Sequence, residues 1–123
     1  MSITANELDR WAGRLHAART TSTPLPPPSD TSDLDVADAY AIQQRTLALQ
    51  TADGARLIGH KIGLTSAPMQ RLLGVDEPDF GFVLDSMVIA DGGTIHASSL
   101  CAPRVEPEIA FRLNRPLRGP DVT

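Results

Sequence analysis

The sequence has one cysteine, no long apolar run and no cluster of basic residues, and each shortage excludes something. A lone Cys101 forms no intrachain disulfide and completes no zinc knuckle, which points to a reducing, cytoplasmic setting. The opening residues MSITANELDRW carry acids and no apolar core, so they do not read as a secretory signal. No unbroken hydrophobic stretch reaches the length of a membrane helix. No Lys/Arg run interrupts a net charge of −4, so neither nucleic-acid phosphate nor anionic lipid is an expected partner.

What is present suits one modest folded unit. The chain has 123 residues, 41% hydrophobic and 21% charged, which excludes a disordered tail. Two textures meet near residue 57. Residues 4–19 place Leu8, Trp11, Leu15 and Ala18 at spacings of three and four, one stripe of a helix, with Arg10, Arg14 and Arg19 mostly off it. Residues 20–33 form a proline-rich linker, in which Pro26 to Pro28 favour polyproline II. A second helix is predicted from about Leu34 to Leu49, burying Val36, Tyr40, Leu47 and its alanines and ending at Asp53-Gly54.

Beyond Gly54, short apolar segments alternate with glycine. Leu57 to Gly63 reads as a strand, and Thr65 or Ser66 caps a short helix that contains Pro68 and closes at Gly74. Further strands are predicted at Phe80 to Leu84, Met87 to Ala90, Thr94 to His96 and, most clearly, Val105 to Leu113, with Asp91-Gly92-Gly93 as a hairpin-like turn. The fold class is therefore α+β, with a helical region over 1–56 and the start of a β domain over 57–123. Strands arrive until Leu113 and little sequence follows to cover the sheet, so the chain is expected to be truncated.

The last predicted strand holds the densest chemistry. In extended chain Glu106 and Glu108 point the same way, away from Ile109 and Phe111, with Cα atoms roughly 6.6 Å apart. Two carboxylates so placed can share one hard cation, and with no neighbouring His or Cys the choice falls on Mg²⁺ or Mn²⁺ over zinc. A solvated sheet face is the alternative, and Pro107 suits an edge strand or a bulge. A third ligand is needed and none is evident in the remaining residues.

These stretches resemble a known family. Gly59-His60-Lys61-Ile62-Gly63-Leu64-Thr65-Ser66, Met69-Gln70, Leu73-Gly74-Val75-Asp76-Glu77-Pro78-Asp79-Phe80-Gly81 and Pro103-Arg104-Val105-Glu106-Pro107-Glu108-Ile109-Ala110-Phe111 are similar to the 2-oxopent-4-enoate (2-hydroxypenta-2,4-dienoate) hydratases. That family lies in the fumarylacetoacetate hydrolase superfamily, with the 4-oxalocrotonate decarboxylases. The match runs from about Asn6 to the end, and Val75 to Gly81 resembles the hydratase branch more. The resemblance implies a helical amino-terminal region followed by a mixed β-roll that holds a divalent metal. Glu106 and Glu108 match two of three metal carboxylates, and the third is expected beyond Thr123.

The implied reaction adds water to 2-hydroxypenta-2,4-dienoate, giving 4-hydroxy-2-oxopentanoate in aromatic meta-cleavage catabolism. The implied partners are a small 2-hydroxydienoate or 2-oxo acid, further copies in a homo-oligomer, and a related decarboxylase or aldolase. The resemblance makes Lys61 an acid–base candidate and Asp79 either a proton shuttle or a supporting partner of Lys61, whereas on sequence alone a strand lysine is a solvated residue and Asp79 an Asx-type turn residue. The rival readings are a 2-oxo-3-hexenedioate decarboxylase, a non-catalytic partner subunit and an inert fragment. His60 is expected to face away from Lys61; His16 and His96 have no partner pattern, and Cys101 reads as a small buried hydrophobe. Arg104 either balances the glutamates or stands exposed; Gly63 and Gly81 either admit a ligand close to the backbone or permit a bulge.

Overall fold

A computed structural model describes residues 3–120. Helix α1 runs over Ala5–Thr21 and opens on a capping box. The Thr4 hydroxyl accepts from the Glu7 amide at 3.3 Å, and the Glu7 carboxylate accepts from the Thr4 amide at 3.1 Å. Helix α2, Val36–Ala52, uses Asp35 and Asp38 in the same reciprocal way. Asp38 is buried and also accepts from the Ile3 amide at 3.3 Å, so the beginnings of both helices are tied together.

The two helices share a small core. Leu8, Trp11 and Ala12 of α1 meet Ile42 of α2, with Ile3, Leu15, Leu34 and Ala41 around them. Trp11 is 2% exposed and keeps its one polar atom satisfied, its indole N–H donating to the Ser32 hydroxyl at 3.1 Å. That bond pins the proline-rich connection, which carries a single 3-10 turn at Pro28–Asp30. Val36, expected inside, is 60% exposed, because the buried face of α2 runs through Asp38 and Ile42 instead.

Strand β1, Leu57–Gly63, pairs antiparallel with β2, Asp79–Leu84. Between them lies α3, Ala67–Leu73, capped by the Ser66 hydroxyl and closed by Gly74 at φ 70°. The Gln70 amide donates to the Leu64 carbonyl at 2.7 Å and holds this connection against the end of β1. The hairpin is fastened to the helices through the outer edge of β2. The Tyr40 hydroxyl accepts from the Phe80 amide at 3.0 Å, and the Gln43 side chain donates to the Phe80 carbonyl at 3.0 Å. At the other end Asp85 accepts from the Arg56 amide and guanidinium, both at 2.9 Å.

Three predicted strands do not form. Met87 to Ala90 begins in a 3-10 turn, Asp85–Met87; Thr94 to His96 precedes another, Ala97–Ser99; and Val105 to Leu113 makes no ladder. A strand exists only by pairing, and among the described residues the sheet has two members. Val105, Ile109 and Phe111 are accordingly 98%, 86% and 85% exposed rather than turned to a core. The turn at Asp91-Gly92-Gly93 does form, the Gly93 amide donating to the Ala90 carbonyl at 2.8 Å, but it joins no strands. The α+β character stands, and among the described residues the sheet is one antiparallel pair.

Candidate functional site

The strand register decides which side chains can meet. Lys61 lies opposite Gly81, and Gly63 opposite Asp79, so these four positions share one face of the hairpin. His60 pairs with Phe82 and Ile62 with Phe80 on the other face, which takes His60 away from Lys61 as expected. Two of the four positions on the Lys61 face are glycine. No side chain therefore stands between the lysine and the aspartate, which are diagonal neighbours.

The unpaired segment 103–113 crosses to this face, and the Lys61 ammonium donates to the Glu108 carboxylate. Their side chains are 48% and 47% exposed, so the pair is open to solvent. The hydrogen bond to Glu108 is the largest influence holding the Lys61 pKa above its ordinary value. Partial desolvation opposes it, while the negative charges of Glu108, Glu106 and Asp79 reinforce it. Lys61 is thus bonded to Glu108 and lies diagonal to Asp79 on the hairpin, while Glu106 acts on the ammonium through its charge alone.

This arrangement stops short of a metal cage. Among the described residues no group of three or more His, Cys, Asp or Glu side chains stands close enough to hold an ion. No ion pair joins Arg104 to either glutamate among those residues, and Lys61 holds the place beside Glu108. Cys101 is exposed rather than buried, its thiol 3.5 Å from the Ala18 carbonyl, because its segment crosses the surface of α1 instead of entering a core. A cleft of about 550 Å³ includes His16, Gln50 and Asp85 in its wall, and another of about 710 Å³ lies between Pro24–Pro28 and Ser99–Arg104. Neither includes Lys61, Asp79, Glu106 or Glu108.

Sequence reasoning missed three supports of this site. Tyr40 and Gln43 fix the backbone of Phe80, next to Asp79. Arg56 and Asp85 clamp the far end of the hairpin, and His16 Nε2 meets Asp53 at 2.9 Å between the helices. Each joins residues many positions apart, which no local pattern in the sequence marks.

No family model matches the chain. Curated relatives do. It is 46% identical over 113 residues to the 2-hydroxyhexa-2,4-dienoate hydratase of Comamonas testosteroni, covering 89% of this chain and 43% of that protein. It is 45% identical over 119 residues to the 2-hydroxypent-2,4-dienoate hydratase of Pseudomonas putida, covering 96% and 53%. The chain thus spans about half the length, or less, of these relatives. Among solved structures it is similar to the 4-oxalocrotonate decarboxylase of Pseudomonas putida G7 complexed with calcium and acetate. That likeness has a TM-score of 0.76 at 28% identity, over 81% of this chain and 39% of the other. The same decarboxylase with magnesium and adipate gives a TM-score of 0.65 at 27% identity, over 69% and 33%. The resemblance read from Lys61, Asp79, Glu106 and Glu108 and their flanking residues therefore extends along nearly the whole chain. Among the described residues no helix is long and apolar enough to cross a membrane.

Proposed function

We propose that this chain supplies part of the active site of a divalent-metal hydratase that converts 2-hydroxypenta-2,4-dienoate to 4-hydroxy-2-oxopentanoate. The observation that carries the reading is the meeting of Lys61 with Glu108 in the field of Glu106 and Asp79, on a chain similar to hydratases. The mixed β-roll is part of the proposal, completed by further strands beside β1 and the segment 103–113.

Glu106 and Glu108 are the residues that would hold the metal. Their oxygens suit a hard ion, and Mg²⁺ is commonly bound through one or two carboxylates, with water and substrate filling its other positions. The calcium and magnesium in the similar decarboxylase agree with that donor chemistry. When bound, the ion supplies Lewis acidity toward the 2-oxygen and carboxylate of the substrate.

The chain's own residues do the rest. The Lys61 ammonium, solvent-open and paired with Glu108, would serve as counter-ion for the substrate carboxylate or the developing enolate. Ketonisation moves the 2-hydroxyl proton to the far end of the diene, and water then adds to the resulting unsaturated ketone. Asp79, diagonal to Lys61 across the two glycines, would hand a proton to or from the substrate carbon chain. An acidic protein could bind an anion at this point because the Lys61 ammonium, with a bound cation, would offset the negative charges.

The similarity to the decarboxylase supports a second reading, in which a 2-oxo-3-hexenedioate loses carbon dioxide through the same enolate. Incubating the full-length protein and Mg²⁺ with each substrate separates the two. Hydration removes the dienol absorbance with no gas released; carbon dioxide from the dioate as the main product would overturn the hydratase reading.

A further inference from the structure

Gly63 and Asp79 face each other across the hairpin, and the fit between them is unusually tight. A Cβ built on Gly63 would lie 2.1 Å from Oδ1 of Asp79, 3.0 Å from Cγ and 3.4 Å from Oδ2. The Asp79 carboxylate therefore fills the space that any other residue at 63 would take. Gly81, on the same face, differs: a Cβ there meets nothing within 4 Å.

The backbone at Gly63 does not require glycine. Its φ is not in the left-handed region, where Gly54, Gly74, Gly92 and Gly119 lie. Strands accept Cβ-bearing residues readily, so alanine at 63 conflicts with one thing, the end of a short side chain. The carboxylate would have to give by more than an ångström to restore ordinary van der Waals contact. The demand for glycine comes from a functional group and not from the chain's own path.

We infer that Gly63 is a positioning residue, whose missing side chain lets the Asp79 carboxylate lie over β1 on the Lys61 face. This rests on the reading that Asp79 transfers a proton to or from the substrate. It explains why a strand otherwise suited to β-branched residues carries glycine at its last position, opposite an acid. Displacing a proton-transfer group by an ångström costs turnover far more than it costs binding.

The test is a double-mutant cycle with Gly63→Ala, Asp79→Asn and both together. In the full-length protein, Gly63→Ala is expected to lower kcat about 10²-fold and to leave KM within about threefold. Added to Asp79→Asn, it should cost nothing further, because its effect passes through the carboxylate already removed. Its thermal midpoint should stay within about 2 °C of the parent. Independently of activity, the Asp79 carboxyl-carbon resonance of the chain should move in Gly63→Ala while the other aspartates hold theirs. An unmoved Asp79 resonance, normal kcat in Gly63→Ala beside an impaired Asp79→Asn, or a collapsed midpoint would each overturn the role given to Gly63. Normal turnover in Asp79→Asn would instead remove the role given to Asp79, and this inference with it.

Discussion

Lys61 of β1 donates to Glu108 across 47 positions of sequence, joining the hairpin to a segment that forms no strand of its own. Lys61→Met should therefore free residues 103–113 while leaving the unfolding midpoint little changed, since solvent-open ion pairs contribute little to global stability. Backbone relaxation at Glu108 reads this directly. Alkali should do the same. The folded pKa of Lys61 lies above its unfolded value, so the contact's contribution is complete below the unfolded value and vanishes as pH climbs through the folded one.

Asp85 gives the opposite pH dependence. Its pKa is lowered chiefly by the hydrogen bond from the Arg56 amide, then by the Arg56 side chain. A depressed folded pKa stabilises above the unfolded aspartate value, and the effect is lost as pH falls through the folded value. Asp85→Asn should thus lower the thermal midpoint at neutral pH. The difference from the parent should shrink in acid, and melts across that range would check it.

Tyr40→Phe deletes the acceptor for the Phe80 amide and leaves the ring in place. The expected cost is about 0.5–1.5 kcal/mol. Faster hydrogen exchange at the Phe80 amide should accompany it, with α1 unaffected. An unchanged exchange rate would mean that α2 does not hold β2 through this bond.

The helical core is small, so it should be sensitive. Trp11→Ala removes the largest buried side chain together with its bond to Ser32. A loss of about 3–5 kcal/mol is expected, a large share of the roughly 5–15 kcal/mol that holds an ordinary domain folded. Urea titration followed by circular dichroism measures it.

Local signals in the sequence were reliable where one element suffices. The stripe of Leu8, Trp11 and Leu15, the cap at Ser66, Pro68 in the first turn and Gly74 at the end of α3 are each decided within a few residues, and each stands where periodicity and capping put it. The segment Val105 to Leu113 has equally strong alternation and forms no strand, because a strand depends on a neighbour that the segment itself does not encode. Of the candidate site, the sequence marked the residue types, and the fold joins Lys61 to Glu108 directly. Their supports were not legible, since Tyr40 to Phe80 and Arg56 to Asp85 are contacts of the folded chain with no pattern along it.

Metal-dependent turnover by the Glu108→Ala and Glu106→Ala variants tests the central claim most directly. In the full-length protein, with 2-hydroxypenta-2,4-dienoate and titrated Mg²⁺, either substitution should cut kcat/KM by about 10²-fold or more and weaken the response to added metal. Parental turnover with unchanged metal dependence in both variants would contradict the account.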